Sequence, residues 1–201
     1  MTIRVDVWVD FVCPWCFLGS IALEELQRTH SVEVHWHAFE LRPPGSPPMP
    51  PEYLSRIEAS KPQLLSIAQE HYGVTLNSGA MITQARRALI GDKYAASLGY
   101  GQAHHKAVFE AYWLHGARID QDEVLIALAE TLGMDGSLYR NALDDPRWEN
   151  EVQQDLFQAR AMDITGVPAI LFMGKYMISG AQPHAEMVRV LEYVQQSEAQ
   201  P

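Results

Sequence analysis

Both cysteines of the 201-residue chain lie in one tetrapeptide, Cys13-Pro14-Trp15-Cys16. A disulfide between them would close a four-residue loop, which the chain-entropy expression values at roughly 2 kcal/mol. A chain this long buries about 70% of its unfolded surface, so stapling is a weak reason for the pair to exist. Three readings remain: a redox dithiol, half of a metal site, or two incidental thiols.

The flanking residues place the pair. Ile3 to Asp10 alternates with period two, and Ile3, Val5, Val7 and Val9 share one face, the pattern of a strand. Leu18, Ile21, Leu23 and Leu26 follow at helical spacing. Pro14 then stands at the first helical position, where its missing N–H is no loss, and Cys13 stands at the cap. A cap sulfur faces unpaired N–H groups and the positive end of the helix dipole, and both favour a thiolate. Cys16 comes three residues later and returns beneath Cys13. This arrangement predicts an exposed, attacking Cys13 and a resolving Cys16.

An ordinary cysteine, with pKa about 8.5, is only a few per cent thiolate at pH 7. A lower pKa raises that fraction, but nucleophilicity falls with a Brønsted slope of about 0.4–0.5 and takes back most of the gain. What survives is leaving-group quality, because a stabilised Cys13 thiolate departs easily when a substrate thiol attacks the disulfide. Strong depression makes an oxidant; mild depression makes a reductant or isomerase.

A closed zinc site needs four ligands, and His35 and His37 at i, i+2 could complete a set with the two thiolates. Their spacing from Cys16 is not diagnostic. A Cys-x-x-Cys beside a βαβ pattern is a redox signature, so the dithiol reading ranks first and no metal is expected.

Val32 to Phe39 alternates again, and strand–helix–strand with a short connection predicts parallel pairing. Arg42 to Pro51 holds six of the 12 prolines and reads as a stiff, extended connector. From Glu52 to about Met162 the pattern is helical, with segments at Pro62–Tyr72, Ile82–Leu98, Gln102–His115, Asp122–Leu132, Ser137–Asp144 and Arg147–Met162. Recurrent glycines mark their ends. Val167–Phe172 and Tyr176–Ser179 flank a turn at Met173-Gly174-Lys175, and a last helix spans His184–Gln196. The order is βαβ, helical insertion, ββα: an α/β fold in which residues 1–50 and 164–201 form one domain and 51–163 an inserted helical one.

The net charge of −10 makes nucleic acid and anionic membrane poor partners. No apolar run approaches the 18 or so residues of a membrane span, and Met1–Asp10 lacks the continuous apolar stretch of a signal peptide. The sequence thus predicts a cytoplasmic protein.

This pattern resembles a thioredoxin-like fold with a helical insertion, as in the DsbA family. Asp10 to Gly19, Phe39-Glu40-Leu41-Arg42-Pro43, Thr165-Gly166-Val167-Pro168-Ala169 and Ser179-Gly180-Ala181-Gln182-Pro183 are similar to its cytoplasmic FrnE-type branch. The resemblance implies a thiol–disulfide oxidoreductase with Cys13 as nucleophile, Cys16 as resolver and Pro14 and Trp15 in the active-site loop. It makes Val167-Pro168 a cis-proline loop that binds substrate. Read from the sequence alone, Pro168 would be trans, since only about 5–6% of X-Pro bonds are cis. Some FrnE-type proteins carry a second cysteine pair near the C-terminus, and this chain has none. No cofactor is implied beyond the Cys13–Cys16 disulfide, with glutathione as a candidate co-substrate. The implied partner is a thiol or disulfide, on a protein or a small molecule; redox direction and oligomeric state are not written in these motifs.

Asp10 precedes Cys13 by three residues and is a candidate modulator of its pKa or shuttle for the resolver's proton; an ordinary strand-end acid is the alternative. Trp15 is expected at the substrate surface. His104, His105 and His115 read as helix-surface histidines, Arg86-Arg87 as a solvated face, and Met173 and Met177 as hairpin packing. A rival function keeps the fold: a glutathione-dependent transferase or isomerase of the kappa-class or 2-hydroxychromene-2-carboxylate isomerase type. Those proteins typically carry Ser where Cys13 stands. A non-catalytic module with a redox-sensing or zinc-holding dithiol is the third reading.

Overall fold

The structure, a computed structural model, describes residues 2–77 and 84–198. Strand β1 (Ile3–Val9) runs into helix α1 (Pro14–Thr29), and the chain returns as β2 (Val32–Ala38), parallel to β1 with Ile3 opposite Val32 and Val9 opposite Ala38. Six helices follow: α2 (Pro51–Tyr72), α3 (Arg86–Ser97), α4 (Gly101–Trp113), α5 (Asp122–Thr131), α6 (Gly136–Leu143) and α7 (Pro146–Ala161). The hairpin β3 (Ala169–Phe172) and β4 (Tyr176–Ser179) then adds antiparallel strands beside β1, giving the order β2-β1-β3-β4, and α8 (His184–Glu198) closes the chain. Within the hairpin, Met173 and Gly174 are both left-handed, at φ 52° and 69°, and Lys175 N–H donates to Phe172 C=O at 3.0 Å. Two consecutive positive φ values at the centre of the Phe172–Lys175 turn match the right-handed twist of the strands.

The alternation of β1 implies one buried face, yet both are buried. Trp8, on the second face, is fully covered and clusters with Ala159, Ile164, Ala169 and Leu171. Helix α7 supplies the cover: Asp155 accepts from the Ala38 N–H at 2.7 Å and meets His37 Nδ1 at 2.9 Å. The other face packs on α1 and α8, and its core continues through Phe11 and Phe109 into Leu125 and Tyr139 of the helical segment.

Two helix starts differ from expectation by more than two residues. Helix α2 starts at Pro51, so Pro62 lies inside it. Pro62 cannot donate to the carbonyl of Glu58, but Glu58 is exposed and water can serve that oxygen. Helix α3 starts at Arg86, behind a non-helical Ala85 cap; Ile82 and Thr83 of the expected segment lie outside the described residues.

Candidate active site

Cys13 is the N-cap of α1, at φ −90° and ψ 117°, with Pro14 opening the helix. Its carbonyl accepts from the N–H groups of Cys16 (3.1 Å) and Phe17 (3.2 Å), which folds the tetrapeptide into one turn. Trp15 is 40% exposed. Cys13 departs from expectation: it is only 4% exposed, against 0% for Cys16. The roof is the loop before β3, which brings the Val167 carbonyl to 3.6 Å from Cys13 Sγ. The Val167–Pro168 peptide is cis, and Gly180 N–H donates to the Pro168 carbonyl at 2.8 Å. At Gly19 α1 runs alongside this loop, where a Cβ would make ordinary contact with Pro168 Cγ at 3.4 Å.

With both sulfurs covered, protonation rather than exposure separates them. The Cys16 thiol donates toward Cys13 and its backbone N–H adds to this, so the Cys13 thiol titrates below the ordinary range. Burial pushes the Cys16 thiol well up, and the proton it shares with Cys13 pushes it further. The Val167 carbonyl opposes the effect at Cys13, because its oxygen accepts from a thiol but repels a thiolate.

Asp10 is 1% exposed at the end of β1. Its carboxylate accepts from Val12 N–H (3.1 Å) and Leu41 N–H (2.9 Å), yet burial dominates and pushes its pKa up to about 7, helped by the charge of Glu40. Its ionised form raises the pKa of both sulfurs. A carboxyl half-protonated at neutral pH beside a buried thiol can take up and return that thiol's proton.

Other candidates fall elsewhere. His37 has both ring nitrogens taken, by Asp155 and by Asp6 at 2.9 Å, and His35 lies 3.1 Å from Glu33. Among the described residues no group of three or more His, Cys, Asp and Glu could hold a metal ion. The expectation of surface histidines fails for His104 and His105, which are 0% and 2% exposed. Each sets Nδ1 on Asp92 at 2.8 Å, and His104 Nε2 meets Tyr139 Oη at 2.7 Å. His115 is exposed. Arg86 and Arg87 are not a solvated face either: Arg86 pairs with Glu40 and Glu149, Arg87 with Asp122 and Asp144. Met173 packs against the core and Met177 is 43% exposed.

Two supports of the site had no assigned role in the sequence. Trp113 Nε1 donates to the Phe11 carbonyl at 3.0 Å, fixing the loop two residues before Cys13 from the helical segment. Glu40 carries a side chain only 2% exposed, paired with Arg86. An acid directly after a buried strand end is a signal for Glu40; Trp113 offered none.

A model of the DSBA-like thioredoxin domain matches residues 4–192. The chain belongs to this family. The DsbA-like chain is 32% identical over 184 residues to "Uncharacterized protein YwbO" of Bacillus subtilis, covering 90% of this chain and 92% of that one. It is 25% identical over 178 residues to a 2-hydroxychromene-2-carboxylate isomerase of Pseudomonas putida, covering 86% of each. Among solved structures, the probable DsbA oxidoreductase SCO1869 from Streptomyces coelicolor superposes with a TM-score of 0.84 at 25% identity, covering 99% of this chain and 92% of that one.

Proposed function

We propose that this DsbA-like chain is a thiol–disulfide oxidoreductase acting by mixed-disulfide exchange. The Cys13 thiolate attacks a substrate disulfide and forms a Cys13–substrate bond while the substrate's other sulfur leaves. Cys16 then loses its proton to Asp10 and attacks Cys13, releasing the second substrate thiolate and leaving a Cys13–Cys16 disulfide. Trp15 offers the substrate an apolar contact, and the backbone of Val167, next to a proline without N–H, pairs with an extended chain. The observation that carries this reading is geometric: Cys13 caps a helix opened by Pro14, Cys16 follows within its first turn, and the cis Val167–Pro168 loop lies against Cys13 Sγ.

Reduced glutathione is the small thiol we expect to regenerate the dithiol, in a cytoplasmic setting whose poise keeps an ordinary dithiol reduced. The FrnE-like subtype belongs to the same proposal, resting on the motifs around Cys13 and Val167. The likeness to the P. putida isomerase favours a second reading, in which Cys13 holds the glutathione thiol for an isomerase or transferase. One pair of variants tests both. Cys16→Ser should accumulate a stable mixed disulfide at Cys13 with a disulfide substrate, and Cys13→Ser should abolish turnover. Turnover that survives Cys13→Ser overturns the exchange mechanism in favour of the isomerase reading.

A further inference from the structure

The Asp10 carboxylate does not stand alone at the end of β1. Phe39 N–H donates to the Val9 carbonyl at 2.8 Å, extending the β1–β2 ladder by one residue. Leu41 N–H then donates to Asp10 at 2.9 Å. Between these two anchors sits Glu40, its side chain covered and gripped at both oxygens by the Arg86 guanidinium of α3. Arg86 reaches on to Glu149 of α7, whose side chain is 37% exposed. A bidentate grip fixes a carboxylate in orientation as well as position.

Resting on the oxidoreductase reading, we propose that Glu40, held by Arg86, is a positioning residue for the resolving step. It clamps the segment that carries Leu41 N–H against Asp10, and its charge sets the protonation balance with which Asp10 serves Cys16. The groups facing Asp10 are Cys13 and Cys16 from α1 and Glu40 from the segment after β2; Arg86 and, through it, Glu149 face Glu40. A second negative charge beside Asp10 keeps its proton on, and Arg86 is the cation paired with that charge.

In the step at issue the Cys16 S–H gives its proton to the Asp10 carboxylate. The Cys16 sulfur pair attacks Cys13 Sγ, the Cys13–Cys16 bond forms, and the Cys13–substrate S–S bond breaks with its electron pair leaving on the substrate sulfur. Two electrons pass from the dithiol to the substrate disulfide, and no further oxidant is needed.

The aromatic disulfide 5,5′-dithiobis(2-nitrobenzoate) is a suitable probe. Mixed rapidly with reduced protein, it gives one coloured thiolate on attack by Cys13 and a second on resolution by Cys16. The rate of the second release is recorded against pH. Glu40→Gln keeps the shape but drops the charge and one of the two bonds from Arg86, since an amide nitrogen cannot accept. Its midpoint should move to lower pH by at least half a unit, and its alkaline plateau should fall about twofold because a less basic Asp10 accepts the proton less readily. Arg86→Lys retains the positive charge and should restore a midpoint close to that of the parent chain. A double variant, Glu40→Gln with Arg86→Gln, avoids a buried unpaired charge and should share the lowered midpoint. A merely structural ion pair would lower thermal stability and leave the midpoint in place, and that result overturns the proposal. Absence of any second release in the parent chain would instead bring down the oxidoreductase reading itself.

Discussion

Replacing Asp10 with Asn removes a buried acid and leaves its shape. In the fold this carboxyl titrates at about 7, against an ordinary value of 3.8. A rise of some three units corresponds to about 4 kcal/mol of coupling between folding and proton binding. The sign follows from a raised acid: its stabilising contribution is complete below pH about 4 and is lost as pH climbs through 7. Asn cannot titrate, so the difference in unfolding free energy between the parent chain and Asp10→Asn should shift by about 4 kcal/mol between pH 4 and 7.5. The shift should favour the variant at the alkaline end. On top lies a pH-independent penalty of about 1–3 kcal/mol, because the Asn amide can accept from only one of Val12 N–H and Leu41 N–H. The assay is urea unfolding of the reduced proteins at several pH values. The same variant should resolve a Cys13 mixed disulfide about 10²-fold more slowly or worse, while its Cys13 titrates lower for want of a neighbouring negative charge. Parallel stability curves for the two proteins would refute the reasoning, since they would mean that Asp10 is ionised throughout.

Trp113→Phe keeps the ring packing but strips the donor from the Phe11 carbonyl; it should cost about 1–3 kcal/mol in urea unfolding and speed hydrogen exchange around Val12 and Cys13. Gly91→Ala would set a methyl 1.8 Å from Tyr139 Oη, so Tyr139 must leave His104; the expected loss is about 1–3 kcal/mol, read as a lowered Tm. Asp92→Asn leaves His104 and His105 buried without their shared carboxylate and should destabilise by about 3–5 kcal/mol, measured the same way.

The strands, the Cys13 cap and most helices were legible because each rests on short-range pattern: period-two alternation, Pro14 at a helix start, glycines after helix ends. Failures came where distant segments meet. Nothing local in β1 announces that α7 covers the face that carries Trp8. His104 and His105 looked like surface residues because their shared partner, Asp92, lies a helix away. Arg86 looked solvated because its partners Glu40 and Glu149 are far off in sequence. The near-complete covering of Cys13 belongs to the same class, since its roof comes from Val167, 154 residues later. The dithiol's chemistry is thus local in sequence, whereas the groups that shield it and tune its protons are not.

Cys13 and Cys16 differ in protonation although both are covered, and site-resolved alkylation reads that difference out. Reduced protein is treated with iodoacetamide from pH 4 to 10, and the labelled cysteine is identified by peptide mass. Cys13 should react with a midpoint below the ordinary thiol range while Cys16 stays unlabelled well above it. Equal, slow labelling of both, with one midpoint in the ordinary range, would contradict it.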